Sequence, residues 1–197
     1  NTQQVFRGRV DVALNKVGLA QAKSVGVSLQ DRAIDAIYSS PLSRALETAQ
    51  MLAVGRNIKV ETERGFIDID FGAWQGLSHH KVKEDFKDLY TTWLSEPQRV
   101  KFPDGESLEE VKVRSQQALE KVVENNPGKT VAIVSHRVVN KVLLCTILGL
   151  DLSHFWYIRQ DTCAVNNFEY KDGNYYLTLL NDTCQLKGVK GASVLDF

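Results

Sequence analysis

The chain has 197 residues, 43% of them hydrophobic, with 24 Lys and Arg against 24 Asp and Glu. That is one domain with a core large enough to fold without disulfide or metal, and the even charge argues against a nucleic-acid binder, which usually carries a basic excess. No apolar run approaches the roughly 18 residues of a membrane helix, and 4 Pro and 13 Gly are too few for a disordered or collagenous chain.

In chain order, apolar periodicity predicts a helix over 18–29 and a strand over 33–39, with Ile34, Ala36 and Tyr38 on one face and Ile37 on the other. Leu42, Ala45, Leu46, Ala49 and Leu52 recur at three and four, so a helix is expected over 42–54. A short strand follows over 58–61. Residues 63–76 lack a clean period and hold Gly65, Gly72 and Gly76, which reads as a loop. Val82, Phe86, Leu89, Tyr90 and Trp93 form an apolar stripe over 78–95, in one helix or two short ones. Pro103-Asp104-Gly105 marks a turn. Ser107 is placed to cap a long helix reaching Asn125, with Glu109 and Glu110 in its first turn. Asn125-Asn126-Pro127-Gly128 ends that helix. The apolar run 130–135 reads as a strand buried on both faces, and 138–148 as a helix closed by Gly149. Lys171-Asp172-Gly173-Asn174 joins strands over 163–170 and 175–180 into a hairpin. The last ten residues read as a tail. Strands alternating with helices argue for an α/β sandwich, and with no linker to divide it, 1–197 reads as a single domain.

The cysteines, Cys145, Cys163 and Cys184, are odd in number and widely spaced, with no CxxC. They suit free thiols in a reducing cytosol, and Cys145 falls in an apolar run as a core residue. His79 and His80 are adjacent and so diverge on a helix; no spacing suggests a metal site. His154, beside Phe155 and Trp156, suits packing.

Ligands of open α/β sheets sit beyond the carboxyl ends of the strands. One strand runs into Ser39-Ser40-Pro41-Leu42-Ser43-Arg44, which puts Arg44 near a helix start. There it could seat a phosphate or carboxylate, or pair with Glu47 on the surface. Another runs into Val134-Ser135-His136-Arg137, where His136 is either a working group or a satisfied structural histidine. In the loop, Asp68 and Asp70 alternate with large apolar side chains. A carboxylate buried there would suit a general acid; ordinary Asx turns are the other reading.

The order of these segments carries more than any one of them. Phe6-Arg7-Gly8-Arg9-Val10-Asp11, Leu14-Asn15, Gly18 and Gln21-Ala22 are followed by Ile37-Tyr38-Ser39-Ser40-Pro41-Leu42-Ser43-Arg44-Ala45 and Thr48-Ala49. Asp68-Ile69-Asp70-Phe71-Gly72, Trp74-Gln75-Gly76, Gly105-Glu106-Ser107 and Val134-Ser135-His136 complete the series. The whole resembles the histidine phosphatase superfamily, the phosphoglycerate mutase-like group, and its compact length is similar to the phosphatase branch. The resemblance implies a three-layer α/β/α sandwich with a mostly parallel central sheet, and phosphoryl transfer through a phosphohistidine without metal or organic cofactor. It assigns Arg44 and Asn1 to phosphate binding, His136 to the phosphate pocket as its second histidine, and Asp68 to protonation of the leaving oxygen. Arg7, Gly8 and Arg137 are expected at the substrate. The implied partner is a small phosphorylated metabolite in the cytoplasm, not nucleic acid or membrane. Both monomers and homodimers fit, with Phe155-Trp156-Tyr157 as dimer surface or core.

Three departures stand against the family pattern. Its Arg-His-Gly signature, whose histidine is the nucleophile, does not occur in the chain and is expected on a strand ahead of Asn1. Asp68 stands where Glu is usual, one methylene shorter. Arg137 follows His136 where many members have Gly; its positive charge would either favour a second anionic group on the substrate or point to solvent. Arg7, Arg137 and the helix carrying Trp93 are expected around the entrance. The implied activity is a phosphomonoester phosphatase; the alternatives are a phosphoglycerate mutase and a non-catalytic phosphate-ligand binder.

Overall fold

A computed structural model describes residues 5–189. Helix α1 spans Lys16–Ser28 and starts where the Asn15 side chain accepts from the Gly18 N–H. Strand β1, Ala36–Ser39, lies between β2, Val60–Thr62, and β3, Val131–Val134, with both pairings parallel. Helix α2, Ser43–Ala53, follows β1 directly. Alternation along the strands sends Ile37, Val60, Ala132 and Val134 into one apolar cluster with Val25 of α1 and Leu52 of α2. It sends Tyr38, Val131 and Ile133 into another, against α5, Leu108–Asn125, and α6, Arg137–Ile147. The sheet is therefore covered on both faces, which is the expected three-layer arrangement.

Residues 78–95 form two helices, α3 over His79–Asp85 and α4 over Lys87–Ser95, parted at Phe86, whose φ of −129° leaves the helical region. Helix α5 opens with a full capping box: the Ser107 hydroxyl accepts from the Glu110 N–H, and the Glu110 carboxylate accepts from the Ser107 N–H. Strands β4, Val165–Lys171, and β5, Asn174–Asp182, pair as an antiparallel hairpin. Its turn residues Asp172 and Gly173 have φ of 51° and 79°, as a two-residue turn with both central residues left-handed requires. The expected tail falls almost wholly beyond residue 189, outside the described residues.

Several expectations shift. The strand expected from residue 33 is regular only from Ala36, and β2 begins at Val60 because only Val60–Thr62 align with Ile37–Ser39. Strand β3 is half-buried along its length rather than covered on both faces. Among the described residues it has one strand neighbour, β1, and its other edge opens onto a cleft of about 1380 Å³ that β4 also lines.

A second core lies beyond the sheet and is aromatic. Phe6 meets Phe71 and Trp74 edge-on at 5.1 and 5.0 Å, and Phe102 contacts Phe71, Trp74 and Trp93. Trp93 is 1% exposed in this cluster, so it is core and does not border an entrance. Phe155 joins the same core, whereas Tyr157 is 84% exposed; the Phe155-Trp156-Tyr157 stretch is split between inside and outside.

Phe6 anchors the chain two residues ahead of Gly8, which sits in a tight place. Gly8 has φ of +51°, and a Cβ there would lie 2.6 Å from Gln75 Oε1 and 2.7 Å from the Ile69 carbonyl. Gly55 shares the left-handed conformation, with φ of +74°, but has nothing within 4 Å. Each Gly→Ala change carries a backbone cost of about 1 kcal/mol. Only Gly8→Ala adds a collision, so it should lower the urea midpoint clearly more than Gly55→Ala. Equal midpoints would mean that the chain crossing at Gly8 gives way freely.

Candidate active site

The parallel strands end on one side, and the candidate residues gather there. β1 runs into Ser39 and Ser40, Pro41 turns the chain, and Arg44 follows in the first turn of α2. The amino end of α2 is capped from elsewhere in the chain: Asp11 accepts from the Ser43 N–H at 2.8 Å and from its hydroxyl at 2.7 Å. The Ser43 hydrogen bonds hold the Asp11 carboxyl below its ordinary range. Arg44 turns across this loop. Its Nη2 donates to the Gly8 carbonyl at 2.7 Å and to Asp68 Oδ2 at 2.9 Å, and its Nη1 to the Val10 carbonyl at 3.1 Å. The surface pair with Glu47 is not formed. The Glu47 carboxylate is taken by the Leu14 N–H at 2.9 Å, and Arg44 finds its anion on a separate segment.

The two loop carboxylates part company. Asp68 faces Arg44, with its Oδ1 accepting from the Ile69 N–H at 2.9 Å. Asp70 accepts from the Gly72 N–H at 2.9 Å and pairs with Arg9 at 3.2 Å. Asp68 therefore belongs to the candidate site, and Asp70 holds the loop.

His136 sits where β3 meets α6 and is 7% exposed. Its Nε2 lies 2.7 Å from Ser40 Oγ, and its Nδ1 lies 3.6 Å from Asp68 Oδ2. Burial, helped by the Arg44 and Arg114 charges, pushes the imidazole down to about 4 against the opposing pull of Asp68 and Asp11. It stands neutral at pH 7, one nitrogen against a hydroxyl and the other turned toward a carboxylate.

Arg7, Gly8 and Arg137 line the same cleft as Arg44, Asp68 and His136. Phe6 stacks on His79 at 4.3 Å, and burial and the Arg137 charge lower the pKa of that imidazole. Asn1 lies outside the described residues. His154 is half-buried, its ring 5.9 Å from that of Tyr157 and its Nδ1 3.4 Å from Asp151, as the packing reading expects. Among the described residues, no three His, Cys, Asp or Glu side chains cluster to hold a metal ion.

Sequence reasoning misses Ser40 as the partner of His136, and also Arg9, Glu106 and Arg114 behind Asp68. Arg114 donates to the Gly65 and Ile67 carbonyls, both at 2.7 Å, to the Asp68 carbonyl at 3.2 Å, and twice to Glu106. A signal for Arg114 exists. It falls within the stripe Val111, Ser115, Ala118 and Leu119 that α5 buries, where a cation needs a partner.

The buried neutral His136 makes stability depend on pH. Its folded value of about 4 lies below the ordinary 6.5, so the unfolded chain binds the proton first. Stability is full above pH 6.5 and falls as pH drops toward 4, by about 3 kcal/mol in all. Urea unfolding of the native protein and of His136→Asn from pH 4 to 7 should show a loss in the first that is absent or much reduced in the second. Parallel curves would overturn the assignment.

The chain is similar to known proteins along nearly its whole length. The model of the histidine phosphatase superfamily, branch 1, matches residues 1–183. Phosphoserine phosphatase 1 of Hydrogenobacter thermophilus is 35% identical over 181 residues, covering 92% of this chain and 86% of its own. The solved structure of Bacillus stearothermophilus YhfR superposes with a TM-score of 0.91 at 27% identity, covering 94% of this chain and 93% of its own. A phosphoserine phosphatase mutant from Entamoeba histolytica, in complex with phosphoserine, superposes with a TM-score of 0.83 at 28% identity, covering 94% and 91%. The chain belongs to the histidine phosphatase superfamily, branch 1.

Proposed function

We propose that this protein hydrolyses phosphomonoesters of small, carboxylate-bearing metabolites, with phosphoserine the first substrate to assay. The observation that carries the reading is the meeting of Arg44, Asp68 and His136, from three separate segments, within hydrogen-bond or ion-pair reach at the carboxyl end of the sheet. A guanidinium and a buried imidazole can hold phosphoryl oxygens while charge shifts in the transition state. Asp68 is the group placed to give a proton. An entering phosphate competes with it for Arg44, which frees the carboxyl to turn toward the leaving oxygen. The Hydrogenobacter relative and the Entamoeba neighbour, both named phosphoserine phosphatases, support the substrate class. So do Arg7 and Arg137 on the same cleft, as a seat for a second anionic group. Three free thiols suit a cytoplasmic setting.

The nucleophile in this reading is a histidine on a strand ahead of Asn1. The cleft between β3 and β4 supports that placement: one edge of β3 is free among the described residues, and the cleft runs to His136. An extended segment there would pair with β3 and end beside the phosphate seat, as parallel strands do. Its imidazole attacks phosphorus, forming a P–N bond as the ester P–O bond breaks, and Asp68 protonates the departing alkoxide. The Asp68 carboxylate then takes a proton from water, which attacks phosphorus, breaks the P–N bond and releases phosphate.

Full-length protein quenched in alkali after mixing with labelled phosphoserine should retain label on one histidine and lose it in acid. Absence of any alkali-stable label, with substrate still bound, would leave a phosphate-ligand binder in place of the enzyme. His136→Ala should lower kcat by at least about a hundredfold. A loss below tenfold would remove His136 from the phosphate seat.

A further inference from the structure

We propose that Arg114 is a positioning residue of the phosphatase reaction, fixing Asp68 at the height that protonation of the leaving oxygen requires. The inference rests on the reading of Asp68 as the acid. Arg114 uses all five of its N–H groups. Nε and one Nη2 N–H go to the Glu106 carboxylate at 2.9 and 3.0 Å, and the other Nη2 N–H reaches the Asp68 carbonyl at 3.2 Å. Both Nη1 N–H groups go to the Gly65 and Ile67 carbonyls at 2.7 Å. Glu106 is equally saturated, taking Arg9 at 2.9 Å and the Asp70 N–H at 3.0 Å besides Arg114. One guanidinium thus grips the backbone at three of the four residues 65–68, and its counter-ion grips the loop two residues further on.

The grip matters because of what Asp68 is. An aspartyl carboxyl hangs on two rotatable bonds, so its position follows the backbone closely, and a misplacement of about 1 Å can cost about a hundredfold in rate. Residues 65–70 belong to no strand or α-helix, only to a short 3-10 turn over Arg64–Phe66, so no backbone ladder fixes their height. The Arg114 side chain is 19% exposed and springs from an 18-residue helix packed on the sheet, a rigid base for that task. A lysine keeps the charge but cannot span three carbonyls and a carboxylate from one planar group.

The test compares kcat/KM on phosphoserine, a poor leaving group, with that on 4-nitrophenyl phosphate, an activated one. The ratio of the two does not change with the fraction of folded enzyme. Arg114→Lys and Glu106→Gln are measured beside Asp68→Asn in the full-length protein. The expected result is a fall in the ratio of at least about tenfold for both Arg114→Lys and Glu106→Gln, in the same direction as Asp68→Asn. If Asp68→Asn lowers the ratio and neither of the other two does, Arg114 is structural only and the inference fails. If Asp68→Asn itself leaves the ratio unchanged, Asp68 is not the acid and both readings fall.

Discussion

Arg44 and Asp68 meet at 2.9 Å with their side chains 18% and 14% exposed, and neither charge could stand there alone. Desolvating a lone carboxylate or guanidinium costs several kcal/mol, which the fold recovers only if the partner arrives in good geometry. The partners come from α2 and from the loop after β2, and the Gly8 carbonyl closes the group from a third segment. Those three segments must therefore be in register before the pair can form. The result is a charge-balanced site that holds its cation in place yet keeps it exchangeable: a phosphate can take Arg44 because Asp68 holds it with one oxygen, not two.

The same economy sets the state of His136. Burial strips the ring of the water that would ease a charge, and two arginines within electrostatic reach make a further cation there costly. A neutral ring keeps one nitrogen free to donate and the other to accept, with Ser40 satisfying one of them at 2.7 Å. Ser40 in turn receives the Leu42 N–H at 3.3 Å, so the turn that aims Arg44 also orients His136. Two groups that arise 92 residues apart in sequence are coupled through one hydroxyl at the end of β1.

Much of this is legible from the chain because parallel α/β topology is simple in one respect: strand ends converge. Apolar runs mark β1 and β3, so Arg44 and His136, just past them, are candidates from the chain alone. The loop is less open to such reading. Nothing in the spacing of Asp68 and Asp70 says that the first turns toward Arg44 and the second toward Arg9, since those partners lie 24 and 61 residues away in the chain. The half-buried state of β3 escapes as well. An apolar strand reads as doubly covered, but coverage at its edge away from β1 depends on what lies in the cleft toward β4, and periodicity carries no such information.

The loop itself shows why a polar network stands where packing would usually suffice. Below it Phe71, Trp74 and Phe102 make a close aromatic bed, with ring centroids 4.9 Å apart for Phe71–Phe102 and Trp74–Phe102. Rings fix how deep the loop sits but tolerate sliding along their faces, because dispersion and burial are nearly non-directional. Hydrogen bonds to a planar guanidinium and a carboxylate are directional, and when every donor and acceptor is used a slip of the backbone breaks several at once. The Arg9–Glu106–Arg114 group supplies what the aromatic bed lacks: a position along the face as well as a depth. Burying such ions adds little net stability against an apolar alternative. Their use here is therefore best understood as geometric: a short acidic side chain on an irregular segment has to arrive at one place, and only directional contacts specify one.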